Sequence, residues 1–173
     1  EGIYSYNTNG NISKIVYTEH HNTYNSDTTT YIFEYSNGLI AKINSYGQHD
    51  TSYKQYKYDA VGNVTEIIIS YPHGQYEQVT EYTYDDKKSS YNLTKDIYLS
   101  LPGIWQGEAT GPNNIVKHIE KIRSKDTTQI RREYTLEFEY NTEGYPVKGV
   151  VQSSAVPLHE ADQFTIDYTY TCK

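Results

Sequence analysis

Six histidines, one cysteine, one tryptophan and a surplus of carboxylates are the residues of this 173-residue chain whose types could do chemistry. Three histidine-containing neighbours occur, His20-His21, His49-Asp50 and His159-Glu160, while His73 and His118 stand alone. Neighbouring residues on a strand point to opposite faces, so none of these pairs chelates from one strand. His-Glu-x-x-His and Cys-x-x-Cys are both missing, and metal ligands would have to converge from separate loops. The expectation is no metal and no cofactor. Carboxylates could hydrolyse a glycosidic bond if two of them stood about 5–9 Å apart across a cleft. Glu34, Glu137, Glu139 and Asp167, however, fall on the polar faces of alternating stretches and read as solvated. There is no Gly-x-Ser-x-Gly elbow, no P-loop and no dinucleotide fingerprint, hence no visible constellation that would activate a nucleophile. Cys172 excludes an intramolecular disulfide and reads as a buried, inert thiol.

Trp105 lies beside Pro102 and Gly103, with Tyr91 and Tyr98 upstream. Exposed rings of this kind stack on sugars and anchor protein contacts. These three residues are the candidate ligand-binding set, the competing role for Trp105 being a plug in one open end of a curled sheet.

What must position such residues is a sheet. An aromatic, a spacer, a tyrosine and a short turn closing on glycine recur four times. The copies are Tyr4-Ser-Tyr6-Asn-Thr-Asn-Gly10, Phe33-Glu-Tyr35-Ser-Asn-Gly38, Tyr56-Lys-Tyr58-Asp-Ala-Val-Gly62 and Phe138-Glu-Tyr140-Asn-Thr-Glu-Gly144. Aromatics two apart share one face of a strand, and Asn or Asp with Gly supplies the positive φ of a tight hairpin. Ile12 and Ile15, Ile40 and Ile43, and Val64 and Ile67 follow the first three glycines at plus two and plus five. Those offsets have opposite parity. Either a β-bulge follows each turn, or the first apolar residue belongs to the turn.

Strand patterns cover residues 12–20, 28–36, 39–46, 52–59, 63–71, 75–85, 115–124, 127–141, 145–153 and 163–171. Short polar connections join them, which predicts a single-domain, all-β, antiparallel up-and-down meander over residues 1–173. The bulges favour a strongly curled or barrel-like sheet, with closure into a barrel left open and a sandwich as the alternative. Between residues 87 and 114 the rhythm fails, and a long loop insertion is expected there, the first place to look for a site.

Composition agrees. With 21 tyrosines, 3 phenylalanines and 36% hydrophobic residues, the chain suits a curled sheet with tyrosines on both surfaces better than a thick two-layer core. The formal net charge of -7 and the lack of a basic cluster argue against nucleic acid as a partner. Lys117 to Arg132 is the most basic stretch, and Glu120 and Asp126 interrupt it. No apolar run approaches the length of a bilayer span, so a soluble protein is expected. Starting at Glu1, the chain reads as processed, with any targeting signal or lipid anchor outside it. Asn-x-Ser/Thr triplets at Asn11, Asn63 and Asn92 would matter only in a eukaryotic secretory setting.

The phrases Tyr-x-Tyr-Asp-x-x-Gly-Asn and Phe-x-Tyr-Asn-x-x-Gly-Tyr-Pro resemble the YD repeats of RHS-type secreted proteins. Irregular repeat spacing and missing arginines separate the chain from true arrays of that kind. The whole chain more closely resembles a family of secreted, extracytoplasmic lipoproteins of unknown function from Bacteroides and its relatives. The resemblance rests on Tyr82-Thr-Tyr84-Asp85-Asp86-Lys87, Asn113-Asn114-Ile115, Tyr140-Asn-Thr-Glu-Gly144-Tyr145-Pro146 and Tyr168-Thr-Tyr170-Thr-Cys172. It implies a porin-like, barrel-like meander, a location in the periplasm or on the outer-membrane surface, and membrane attachment only through a lipid anchor. It supplies no catalytic or binding residue. The triplets Asp27-Thr28-Thr29 and Asp126-Thr127-Thr128 resemble the O-glycosylation sequon of exported Bacteroides proteins, which makes Thr28 and Thr127 candidate attachment points. The functional expectation is a non-catalytic binding or scaffolding protein of the bacterial cell envelope, with a glycan or an envelope protein as ligand. A glycan-acting hydrolase using a carboxylate pair is the alternative, and a purely structural envelope component is the third possibility.

Overall fold

Alternation of apolar and polar residues, punctuated by glycine turns, builds one antiparallel sheet of eleven strands in strictly sequential order. The structure is a computed structural model and describes residues 1–20, 26–47, 50–89, 111–155 and 163–167. The strands are β1 Gly2–Tyr6, β2 Ile12–His20, β3 Ser26–Ser36, β4 Leu39–Tyr46, β5 Thr51–Tyr58 and β6 Val64–Ser70. They continue as β7 Tyr76–Lys88, β8 Asn113–Ser124, β9 Thr128–Tyr140, β10 Pro146–Ala155 and β11 Gln163–Asp167. Every strand pairs with its sequence neighbour, as short connections require.

The expected bulges are present. Tyr6 pairs with Ile12 and Ser5 with Lys14, so Ser13 is the extra residue; Ala41 and Thr65 occupy the same place after the next two turns. Val147 repeats the pattern between Pro146 and Lys148. Each bulge resets the alternation, which lets residues at plus two and plus five after the glycine share one face. On that face Val64, Ile67 and Ile69 form the buried centre, packed by Tyr56, Tyr58, Tyr71 and Tyr82.

The opposite face is laced with cross-strand ion pairs. Lys57 meets Glu66 at 2.6 Å, Lys121 meets Glu81 at 2.5 Å and Arg123 meets Glu77 at 2.6 Å. Glu66 and Glu81 are direct cross-strand neighbours, and the two lysines offset their repulsion. Three of the six positive charges of the 117–132 stretch are spent this way, Lys117 pairing with Glu133 at 2.7 Å.

Several expectations need correction. The described strands do not close into a barrel: β1 and β11 are the two ends of the order, and every residue of β1 is exposed. No second sheet makes a sandwich among the described residues. The tyrosines do cover both surfaces, as composition suggested: the phrase tyrosines share the side of Ile67, as their spacing of two requires, and Tyr46 and Tyr53 are on the other. Strands reach into the expected 87–114 loop from both sides, β7 running to Lys88 and β8 starting at Asn113. Thr28 lies within β3 and not in a turn, its hydroxyl 3.2 Å from that of Thr18.

The tyrosine face carries a half-buried histidine. His118 of β8 stacks between Tyr82 and Tyr134, its register partners on either side, at ring-centroid distances of 5.0 and 5.1 Å. Burial pushes its pKa below 6.5; Glu120 opposes the shift and Arg132 adds to it. A lowered histidine pKa means that the unfolded chain takes up the proton first. Stability is therefore fully present above about pH 6.5 and falls as the pH drops from there through the folded pKa. Thermal melts between pH 8 and 5 are expected to show this loss, at a slope of at most about 1.4 kcal/mol per pH unit. His118→Phe, which keeps the stack, should flatten it; an unchanged slope in that variant would place the titration elsewhere.

Candidate functional site

All the phrase turns lie at one end of the sheet, and the way they close explains what surrounds the insertion. In three of them the first turn residue is Asn or Asp, and its side-chain oxygen gathers backbone amides. Asn7 Oδ1 accepts from Asn9 and Asn11, and Asn141 Oδ1 accepts from Glu143 and Tyr145. Asp59 Oδ1 accepts from Val61, Gly62 and Asn63 at 2.9–3.0 Å. The glycine then takes positive φ, +79° at Gly10, +98° at Gly62 and +82° at Gly144. The shorter turn differs: Asn37 and Gly38 both have positive φ, 51° and 80°, as a two-residue hairpin needs.

The β7–β8 connection is a fifth copy of this hairpin, with its turn replaced. Tyr82-Thr-Tyr84-Asp85 precedes the gap, and Asn114-Ile115-Val116-Lys117 follows it. Tyr84 pairs with Ile115 and Thr83 with Lys117, so Val116 is the bulged residue. Asp85 Oδ1 accepts from the amides of Lys87 and Asn114, the counterparts of Val61 and Asn63. Asp85 Oδ2 faces Asn114 Nδ2 at 3.4 Å, as Asp59 Oδ2 faces Asn63 Nδ2 at 2.8 Å. Residues 86–113 thus stand where Ala60, Val61 and Gly62 stand in the hairpin next door.

A tyrosine ladder ties these hairpins together. Tyr35 donates its hydroxyl to the carbonyl of Ile12 (2.8 Å), Tyr58 to that of Ile40 (2.8 Å) and Tyr84 to that of Val64 (2.6 Å). Each acceptor is the residue at plus two after the preceding turn, next to its bulge. Tyr140, the next rung, departs from the rule and donates to Asp85 Oδ2. Burial, then the hydrogen bond to Asp85, raises its pKa far above the ordinary value of 10. The phenol is therefore a donor at every physiological pH and not a base.

The stem of the insertion docks on the β5–β6 turn. Asn63 is 1% exposed; its Nδ2 donates to Asn113 Oδ1 at 3.0 Å, and its Oδ1 accepts from the Asn113 amide at 3.2 Å. Both Nδ2 hydrogens are used, one on Asp59 and one on Asn113, so the folded protein offers no glycosylation site there. Gly111 lies against Asn63 so closely that a Cβ would sit 2.2 Å from Oδ1 and 2.8 Å from Cα. Because the second of these is a backbone atom, Gly111→Ala is expected to force the stem off, at about 1–3 kcal/mol. A thermal melt checks this against Pro112→Ala; equal melting temperatures would mean that the stem is not docked in solution.

Between the two aspartate turns lies an open cleft of about 490 Å³, with Asp59, Val61, Tyr82, Asp85, Asp86 and Asn113 in its walls. Its acids are poorly suited to proton transfer. Burial tends to raise the Asp59 pKa, yet the hydrogen bonds from Asn63, Val61 and Gly62 outweigh it and hold the carboxyl below 3.8. Asp86 is likewise held low, by the ammonium of Lys87 at 3.0 Å. Among the described residues no group of three or more His, Cys, Asp or Glu side chains could hold a metal. No helix among them is long and apolar enough to cross a membrane.

Of the residues singled out from sequence, Trp105, Tyr91, Tyr98 and Cys172 lie outside the described residues, as do His21, His49, His159 and Asn92. The structure does place the foot of the 87–114 stretch beside the cleft. Glu34, Glu137, Glu139 and Asp167 are exposed, and Glu34 additionally accepts from the buried Asn44 at 2.6 Å. Thr28 and Thr127 are both exposed and lie at the end of the sheet away from the cleft. Sequence reasoning missed Asp85, Asn63, Asn114 and Tyr140 as a network. No family model and no curated protein matches the chain.

Proposed function

We propose that this is a non-catalytic binding or scaffolding protein of the bacterial cell envelope, extracytoplasmic and held to the membrane by a lipid anchor outside this sequence. Its ligand is a glycan or an envelope protein, taken at the insertion through Trp105, Tyr91 and Tyr98. One observation carries the non-catalytic part: Asp59 and Asp85, the acids at the foot of the insertion, are consumed in closing hairpins. The Tyr140 phenol beside them is held protonated. A hydrolase needs an acid whose pKa is raised, and the shifts at Asp59 and Asp86 run the other way. The envelope location is supported by the resemblance of the repeated phrases alone.

A glycan array with the purified protein, with Trp105→Ala beside it, tests the proposal. Binding that disappears in the variant is the expected result for a sugar ligand. No binding by the wild type would transfer the proposal to a protein ligand. Release of reducing ends from any arrayed glycan would overturn the non-catalytic assignment.

A further inference from the structure

The turns that begin at Asn7, Asp59 and Asn141 close on the same two backbone bonds. Gly10, Gly62 and Gly144 donate to the carbonyl of the first turn residue, and that residue's amide donates to the carbonyl four positions on, all at 2.8–3.3 Å. Their tips nevertheless differ. Thr8-Asn9 and Thr142-Glu143 are polar, whereas Ala60-Val61 is apolar, and Val61 is 66% exposed. The turn does not require this, since the other two make the same bonds without it. What sets the β5–β6 turn apart is its position. Val61 stands in the wall of the cleft of about 490 Å³ at the foot of the insertion, together with Tyr82 and Asp86. The Tyr82 ring is fixed by its stack on His118 at 5.0 Å. Asp86 is the acid of the cleft that closes no turn. Its side chain is 85% exposed and meets Lys87 at 3.0 Å, which leaves the carboxylate capacity to accept a further hydrogen bond.

We propose that this cleft takes one uncharged saccharide unit, its apolar face against Val61 and Tyr82 and its hydroxyl groups toward Asp86. The inference rests on the glycan branch of the reading above and adds to it a subsite built on the sheet itself. The same walls disfavour other occupants. Strands β6, β7 and β8 around the cleft are each paired on both sides, so no free ladder is offered to a peptide. Asp59, Asp85 and Asp86 line the cleft and no cation does, which repels acidic glycans and phosphates. Nor is a cation called for: Asp59 and Asp85 are occupied by turn amides, and Asp86 by Lys87. What remains is an exposed valine beside a fixed ring and a hydroxyl acceptor. That surface complements a sugar, with C–H groups on one face and hydroxyls at the edge.

A glycan array with the intact chain tests the inference, with three variants beside the wild type. Ala60→Thr with Val61→Asn installs the tip of the β1–β2 turn, so the melting temperature should hold while affinity falls by roughly tenfold or more. Asp86→Lys should lower binding of uncharged glycans and raise that of sulfated or uronic-acid glycans, which the wild type should reject. Its site is exposed, so it carries the comparison if the double variant does not fold. Trp105→Ala separates this inference from the reading it rests on. Binding lost in Trp105→Ala but unchanged in both cleft variants would overturn the cleft and leave the insertion as the site. Binding lost in the cleft variants but kept in Trp105→Ala would support the cleft and withdraw the insertion's rings. A wild type that binds no glycan, or that prefers acidic ones, would overturn the inference.

Discussion

Replacing residues 86–113 by Ala-Val-Gly, the turn of the β5–β6 hairpin, is expected to leave a cooperatively folding meander that no longer binds the insertion's ligand. Asp85 and Asn114 already hold the relation that Asp59 and Asn63 hold across that tripeptide. The exchange loses the two Asn63–Asn113 hydrogen bonds and that from Asn114 Nδ2 to the Lys88 carbonyl, at about 1 kcal/mol each. The shorter connection returns about 2 kcal/mol of loop-closure entropy. The terms nearly cancel, so the melting temperature should move by only a few degrees. Far-UV circular dichroism and a thermal melt read the fold, and the glycan array reads the function. Loss of cooperative unfolding would mean that the insertion helps to hold the sheet and is not a graft on one hairpin.

Asp85→Ala should be among the most damaging single changes at this end of the molecule. The carboxylate accepts from the amides of Lys87 and Asn114, from the Asn114 side chain and from the Tyr140 hydroxyl. Asn114 is 5% exposed, so its donors cannot turn to water when the acceptor is removed. At about 1–3 kcal/mol for each buried donor left unpaired, a loss of about 3 kcal/mol or more is expected by denaturant titration. Asp85→Asn should recover the share of the two backbone amides, because Asn7 and Asn141 close their own turns with an amide oxygen. It should not recover that of the Asn114 side chain and the Tyr140 hydroxyl, which would face an NH2 group where Oδ2 accepts. Tyr140→Phe should cost about 1 kcal/mol. An Asp85→Ala protein as stable as the wild type would remove Asp85 from its role as the hub of this network.

Much of this network was legible in outline. Glycines close behind an aromatic pair gave the hairpins. The parity conflict at plus two and plus five left a bulge as one of two readings, which the register decides by placing bulges at Ser13, Ala41 and Thr65. The tyrosine ladder left a subtler trace. The first aromatic of each phrase is Tyr or Phe (Tyr4, Phe33, Tyr56, Tyr82, Phe138), while the second is always Tyr (Tyr6, Tyr35, Tyr58, Tyr84, Tyr140). The hydroxyl of the second reaches the neighbouring hairpin at Tyr35, Tyr58 and Tyr84. The fifth hairpin escaped notice because its two halves are separated by the insertion, and a turn is recognised locally.

The sequence by itself determined the all-β meander, ten of the eleven strands in outline, the shared face of each aromatic pair and the positive-φ glycines of the turns. These follow from interactions within a few residues: the period of two, the positive φ of glycine, and the short reach of each connection. Only the tertiary structure decided that the described strands do not close on themselves, that Tyr140 leaves the carbonyl ladder for Asp85, and that Asn63 is sealed under Gly111. These depend on which distant segments meet, residues 63 and 113 across one cleft or 85 and 140 across the intervening strand β8. No local pattern encodes such a meeting, because its free energy arises from burial and hydrogen bonding that exist only once the sheet has formed.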